Sequence, residues 1–170
     1  TIDITELLPF EIPNNWRWCR LSNVIQLLSG RDLEPSEYNG NPIGIPYMTG
    51  ASNFSNGKLL INRWTEKPMT ISVKGDLLIT CKGTIGQIAF NRIGEIHIAR
   101  QIMALRGCKI SLQYVKIFLT TIINILQKQA NSMIPGISRE VLLNTLLPLP
   151  PVEEQKRIVR KIQLLNELII

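Results

Sequence analysis

With 170 residues, 45% of them apolar and 19% charged, the chain has the size and composition of one globular domain with a real core. Nineteen Lys and Arg against thirteen Asp and Glu give a net charge of +6, and no run of about 18 apolar residues occurs, so no membrane span is expected. Three scattered cysteines and a single histidine leave little material for a disulfide framework, a Cys-x-x-Cys metal pair or a histidine-based catalytic centre.

The N-terminus begins at Thr1, as an excised piece would, and has no basic stretch leading into an apolar one, so no signal peptide is expected. Pro9, Pro13 and Asn14-Asn15 break any helix there, and Trp16 and Trp18 flank Arg17 at strand spacing. Leu21 to Leu28 reads as a strand ended by Ser29-Gly30, and Arg31 to Asn41 as polar turns. Ile43 to Met48 is a short strand, Thr49 to Lys58 a Gly/Asn/Ser loop, and residues 59–65 a further strand. Leu77 to Cys81 has the apolar, β-branched character of a buried strand. It is joined by Lys82-Gly83-Thr84-Ile85-Gly86 to Gln87–Phe90, and Ile93–Ala99 and Gln101–Arg106 continue the series. His97 lies between two isoleucines, which places it on the outward side of a half-buried strand.

The period then changes. After Ser111, a good N-cap, Val115, Phe118, Leu119, Ile122 and Leu126 mark one face of a helix running to about Ala130. Ser138 caps a second short helix through Leu143. Pro148, Pro150 and Pro151 stiffen the chain before a last helix with Glu153 and Glu154 in its first turn, where the macrodipole favours negative charge. On that helix Ile158, Ile162, Leu165 and Ile169, with Val159 beside them, form a narrow seam that asks for a partner helix. The expected class is α+β: a curved, mostly antiparallel sheet with packed helices, followed by a C-terminal coiled-coil-type helix.

Charge is unevenly spread. Residues 38–135 hold eleven basic and three acidic side chains, whereas residues 1–37 hold three basic and six acidic. Such asymmetry is the electrostatic footprint of a nucleic-acid binder, the alternative being a generically basic protein. Lys82 and Thr84 sit around Gly83, where a backbone approaches a phosphate closely; a tight hairpin with a solvated lysine is the other reading. Arg31 after Ser29-Gly30, and Ser52, Asn53 and Lys58 around a Gly/Asn loop, repeat the pattern. Arg100-Gln101 pairs a guanine-preferring with an adenine-preferring side chain, a structural or phosphate role for Gln101 being equally open. Arg139 begins a helix whose N-terminus could meet a phosphate. The tryptophans are read as packing residues and the cysteines as small buried hydrophobes in a reducing cytoplasm.

Catalytic patterns are missing. Pro150-Pro151 lies between Leu149 and Val152, without the amide and aromatic of an amino-methyltransferase motif. Neither a G-x-G-x-x-G nor a P-loop sequence occurs, and Glu154-Gln155-Lys156 has no convincing strand aspartate upstream to complete a nuclease centre. No metal, cofactor or catalytic residue is expected.

The phrase Leu147-Pro148-Leu149-Pro150-Pro151-Val152-Glu153-Glu154-Gln155-Lys156-Arg157-Ile158 resembles the junction of target-recognition domain and spacer helix in specificity subunits of type I restriction–modification enzymes. Further pieces follow that family's order: Leu8-Pro9, Ile12-Pro13 with Trp16 and Leu21, Gly44-Ile45-Pro46-Tyr47-Met48, Gly75 to Thr80 with Lys82 to Gly86, Gln101 to Leu105, and Ile134 to Ser138. The resemblance implies a target-recognition domain over 1–147, and over 148–170 a proline hinge with the start of the spacer or dimerisation helix. It implies sequence-specific recognition of double-stranded DNA, with methylation and restriction supplied by partner subunits in the cytoplasm. It also implies a second recognition domain, carried either by the rest of a longer subunit or by a second copy of a half-size one. The rival expectation is an assembly module acting through the last helix, with only non-specific DNA affinity.

Overall fold

The computed structural model describes residues 9–130 and 136–168; Leu8, Ile134-Pro135 and Ile169, all singled out in the sequence, lie outside them. In chain order the elements are β1 (Arg17–Arg20), β2 (Ile25–Ser29), β3 (Ile45–Met48), β4 (Phe54–Ser55), β5 (Lys58–Leu59), β6 (Trp64–Thr65), β7 (Ile71–Ser72), β8 (Leu77–Thr80), β9 (Ile88–Phe90), β10 (Ile96–Ile98), β11 (Ile102–Gly107), α1 (Leu112–Ala130), α2 (Arg139–Asn144), β12 (Leu146–Leu149) and α3 (Val152–Glu167). The α+β class holds, but in place of one curved sheet there are two four-stranded sheets, with β1-β12 and β4-β5 as separate two-stranded pairs. The first, β2-β11-β8-β9, is antiparallel throughout. The second, β6-β3-β10-β7, pairs β3 with β10 in parallel.

The period of two along β8 and β11 explains the layering. Leu77, Ile79, Met103 and Leu105 face the helices, packing with Val115, Leu119 and Leu142. Leu78, Ile102 and Ala104 face the second sheet, packing with Met48, Ile96 and Ile98. A sheet covered on both faces needs apolar side chains at every position, which is why these segments read as continuous apolar runs. The layers are therefore helices, first sheet, second sheet. The chain crosses between the sheets in three residues, Ala99-Arg100-Gln101.

Two expected strands are cut short by side chains that bind backbone. Residues 21–23 form a turn of 3-10 helix, with the Asn23 side chain accepting from the Arg20 N–H at 3.0 Å. Residues 60–63 are irregular because the Asn53 amide donates to the Leu60 carbonyl (2.9 Å) and to Asn62 Oδ1 (3.1 Å). Such side-chain bonds offer the backbone an alternative to a ladder. Cys19 and Cys81 are covered, and burial pushes both thiols up, whereas Cys108 is exposed and departs from the expectation of three buried cysteines.

The helices start as expected. Ser138 Oγ accepts from the Val141 N–H (3.1 Å) at the head of α2, and Ser111 Oγ accepts from Tyr114 N–H (3.4 Å) ahead of α1. The proline segment is not a free hinge. β12 pairs antiparallel with β1, Trp18 opposite Pro148, and the Tyr114 hydroxyl donates to the Pro148 carbonyl at 2.6 Å. Burial pushes Tyr114 up to about 12. A boundary between residues 147 and 148 falls inside β12.

Asp76, 2% exposed, ties the far end of the first sheet. It accepts from Arg106 Nε (2.9 Å) and Nη2 (2.8 Å), Ser72 Oγ (3.1 Å) and the Val73 N–H (2.9 Å). Asp76→Ala orphans these donors, and urea denaturation is expected to register a loss of about 2–3 kcal/mol. Arg106→Ala is expected to cost a comparable amount, because it leaves the buried Asp76 carboxylate without its guanidinium even though Arg106 itself is half exposed. A loss of well under about 1 kcal/mol for Arg106→Ala would contradict this account.

Candidate nucleic-acid interface

The crossover at Ala99-Arg100-Gln101 gathers four other segments to one edge of the domain. Gly30 donates to the Ile102 carbonyl (3.0 Å) and Arg31 to that of Ile98 (2.9 Å). A Cβ at Gly30 would overlap the Ala99 carbonyl, so only glycine permits this approach. Cys81 N–H donates to the Gln101 carbonyl (2.8 Å), and Ile137 N–H to the Cys81 carbonyl (2.9 Å). The Gln101 side chain lies against Gly50, where any Cβ would collide with its Oε1. The loops holding Arg31, Lys82, Arg100 and Gln101 therefore converge on strand ends that are themselves rigid.

Of the residues expected to touch DNA, Arg31, Lys82, Thr84, Arg100 and Gln101 are exposed at this edge. Thr84 belongs to the tight loop closed by Thr80 Oγ1, which donates to the Thr84 carbonyl (2.7 Å) and accepts from Gln87 N–H (2.9 Å). Ser52, also exposed, follows Gly50. Arg139 adjoins the edge but is held: its Nη1 donates to the Leu27 carbonyl (2.8 Å) and to Ser29 Oγ (3.3 Å). Asn53 must be corrected. It is fully buried, its Oδ1 accepting from Thr49 N–H (2.8 Å) and its amide spent on residues 60 and 62, so it shapes the loop and presents nothing outward. Lys58 stands apart, on the β4–β5 hairpin whose Gly57 approaches Lys116 of α1. Lys116 in turn lies over the Phe90 ring, at the opposite end of the first sheet from Lys82.

Two residues gained importance that the sequence did not give them. Asp32 Oδ1 accepts from the Arg100 N–H (3.0 Å), and its Oδ2 lies 2.7 Å from Arg100 Nε. His97, expected on an outward face, is fully buried because β10 is an interior strand covered on both sides. Its Nδ1 faces the Met69 (3.2 Å) and Thr70 (3.1 Å) N–H groups and so accepts; Nε2 then carries the proton and donates to the Arg31 carbonyl at 2.8 Å. Burial pushes its pKa below the ordinary value. Composition carried no signal for Asp32, which lies in the acid-rich first segment; for His97 none was available without knowing the strand order.

On α3, Ile158 and Val159 pack partly on the domain's own core, which corrects their assignment to a partner helix alone. Ile162 is half-buried, whereas Leu165 (48%), Leu164 (55%) and Leu168 (82%) are exposed. A cleft of about 1070 Å³ opens between α1, α3 and the turn at 73–76, and none of the expected DNA-contacting residues lines it. Among the described residues no three His, Cys, Asp or Glu side chains are grouped to hold a metal ion, and no helix is long and apolar enough to cross a membrane.

A layered α+β domain with an edge of converging basic loops, leading into an amphipathic helix, defines the class. The chain belongs to the type I restriction modification DNA specificity domain family, whose profile matches residues 13–170. It is 26% identical over 164 residues to a curated protein of Methanocaldococcus jannaschii assigned as the type I restriction enzyme MjaX specificity subunit, covering 94% of this chain and 38% of that one. Its fold matches the HsdS subunit from Thermoanaerobacter tengcongensis (TM-score 0.84, 26% identity, 95% of this chain and 40% of that one). It also matches a chain from a study of complex assembly and conformational transition of the type I R-M system (TM-score 0.86, 25% identity, 98% and 43%). The chain thus spans about two fifths of the length of these relatives.

Proposed function

We propose that this chain is one target-recognition domain of a type I specificity subunit, with the first turns of its spacer helix. It binds double-stranded DNA sequence-specifically and leaves methylation and restriction to partner subunits. The observation that carries this is the convergence of Arg31, Lys82, Arg100 and Gln101 on one rigid edge, in a chain of the DNA specificity domain family. Exposed lysine and arginine at that edge neutralise phosphates and release counterions, while side chains between them reach base edges. The exposed apolar residues of α3, from Leu164 onward, suit a second helix of the same subunit or of a second copy. Methylation and restriction subunits as partners, and a cytoplasmic setting, come with the family.

The test is selection from a randomised duplex pool at near-physiological salt, with the methylation subunits present. One short, well-defined half-site is the expected product; a well-formed complex with no enrichment would leave only an assembly role for the helix. Lys82→Glu is expected to weaken binding to target and non-target duplexes alike and to lower the salt slope by about one. A loss confined to one base position would contradict the assignment of Lys82 to phosphate.

A further inference from the structure

We infer that Asp32 and Arg100 form a pre-set reading unit for a guanine–cytosine pair; this rests on the DNA-recognition reading above and specifies one position of the recognised sequence. Both neighbours of Asp32 are fixed to the second sheet. Arg31 donates to the Ile98 carbonyl (2.9 Å) and its own carbonyl accepts from His97. Leu33 is buried, and its N–H donates to the Tyr47 hydroxyl oxygen (3.4 Å). Arg100 is held from both sides as well, by Ala99 N–H on the Met48 carbonyl (2.9 Å) and by Cys81 N–H on the Gln101 carbonyl. The carboxylate bonds the Arg100 backbone and pairs with its Nε, so it orients the guanidinium from a fixed base.

Stability does not account for the pair. The two side chains are 67% and 44% exposed, and an exposed ion pair adds little to folding. The contact at Nε leaves both terminal amino groups of Arg100 without an acceptor among the described residues. Those two groups form the planar fork that matches O6 and N7 of guanine. A carboxylate beside the fork repels phosphate, which disfavours a backbone role. It is, however, suited to the amino donor of cytosine, the other half of the same base pair. No carboxylate lies within ion-pair distance of Arg31 or Lys82 among the described residues, so the phosphate-binding charge at this edge sits on them. Because Arg100 is oriented before DNA arrives, less freedom is lost on binding.

The experiment is the same pool selection on the complete subunit with its methylation subunits, comparing wild type with Asp32→Ala, Asp32→Asn and Arg100→Ala, together with affinity for a non-target duplex. The wild-type motif is expected to contain a guanine whose preference falls roughly 5- to 150-fold in Arg100→Ala. Asp32→Ala is expected to relax the same position, leaving the others intact and non-target affinity unchanged or raised. Asp32→Asn, which keeps the acceptor for the Arg100 N–H, falls between and supplies the answer should the alanine variant not fold. A uniform loss across all positions would reduce Asp32 to a support and overturn the inference. A wild-type motif that all three variants leave intact overturns this inference alone. A wild type that selects no motif overturns the DNA-recognition reading and this inference with it.

Discussion

His97→Ala is expected to cost the fold roughly 3–5 kcal/mol in urea denaturation, the largest effect of any single substitution outside the apolar core. The ring is fully buried, so its removal leaves a cavity in a close-packed interior. It also orphans three backbone groups at once: the N–H of Met69, the N–H of Thr70 and the carbonyl of Arg31. Tyr47 packs against the ring at a tilt of 46°, with centroids 4.9 Å apart, and loses that contact too. His97→Asn, with a carbonyl oxygen close to the place of Nδ1, is expected to recover part of the loss by accepting again from residues 69 and 70.

The same geometry sets a pH dependence. Burial holds the folded-state pKa of His97 below the ordinary 6.5, because the charged imidazolium would be stripped of its water inside the domain. As the pH falls below about 6.5, the unfolded chain takes up a proton that the folded chain refuses, and stability is lost. Above that pH the contribution is complete. The slope is at most about 1.4 kcal/mol per pH unit. His97 is the only histidine, so the window between pH 7.5 and 5.5 reports on it with little interference. Equal stability of the wild type at both ends would show that the ring is not held neutral. His97→Asn is expected to flatten the window.

His97 also shows where reading the sequence stops. Alternation on Ile96-His97-Ile98 was correctly a strand pattern, yet alternation alone cannot tell a solvent face from a second interior face. That depends on β3 and β7 pairing on either side, which is set by contacts distant in sequence. The long periodic helix after Ser111 and the capped helix after Ser138 were legible because helix faces and caps are local properties. Likewise the basic character of the middle segment survived, but its sorting did not. Asn53 and Arg139 look like contact residues in the sequence; one is consumed by its own loop and the other is held on β2, and only the fold decides between such uses. Asp32 went unnoticed because its partner is 68 residues away.

Gln155→Leu is expected to loosen α3 from the domain and to cost about 2–3 kcal/mol, although the sequence marks Gln155 only as one polar residue in a charged stretch. The side chain is 2% exposed. Its Oε1 accepts from the Ser111 N–H (3.0 Å) just ahead of α1, and its Nε2 donates to the Pro150 carbonyl (3.0 Å) at the end of the proline segment. One amide thus joins the heads of two helices and the strand end between them. Leucine fills the space but leaves a donor and an acceptor buried and unpaired; glutamate would set an anion against the Pro150 carbonyl and is expected to cost more. Ile158 and Val159 follow one turn later and pack on the core only while that latch holds. Hydrogen exchange is the direct measurement: in Gln155→Leu the amides of α3 should exchange faster, with those of β8 and β11 little changed. Equal acceleration everywhere would mean that the latch supports the whole domain and not the helix angle. If the angle is what it sets, and the DNA-recognition function proposed above holds, the variant assembled with methylation subunits should still select the same bases, since the edge at Arg100 lies beyond its reach. On that same proposal, what should broaden is the permitted spacing between half-sites, because a recognition domain on a loosened helix would no longer meet the duplex at one fixed distance from a second one.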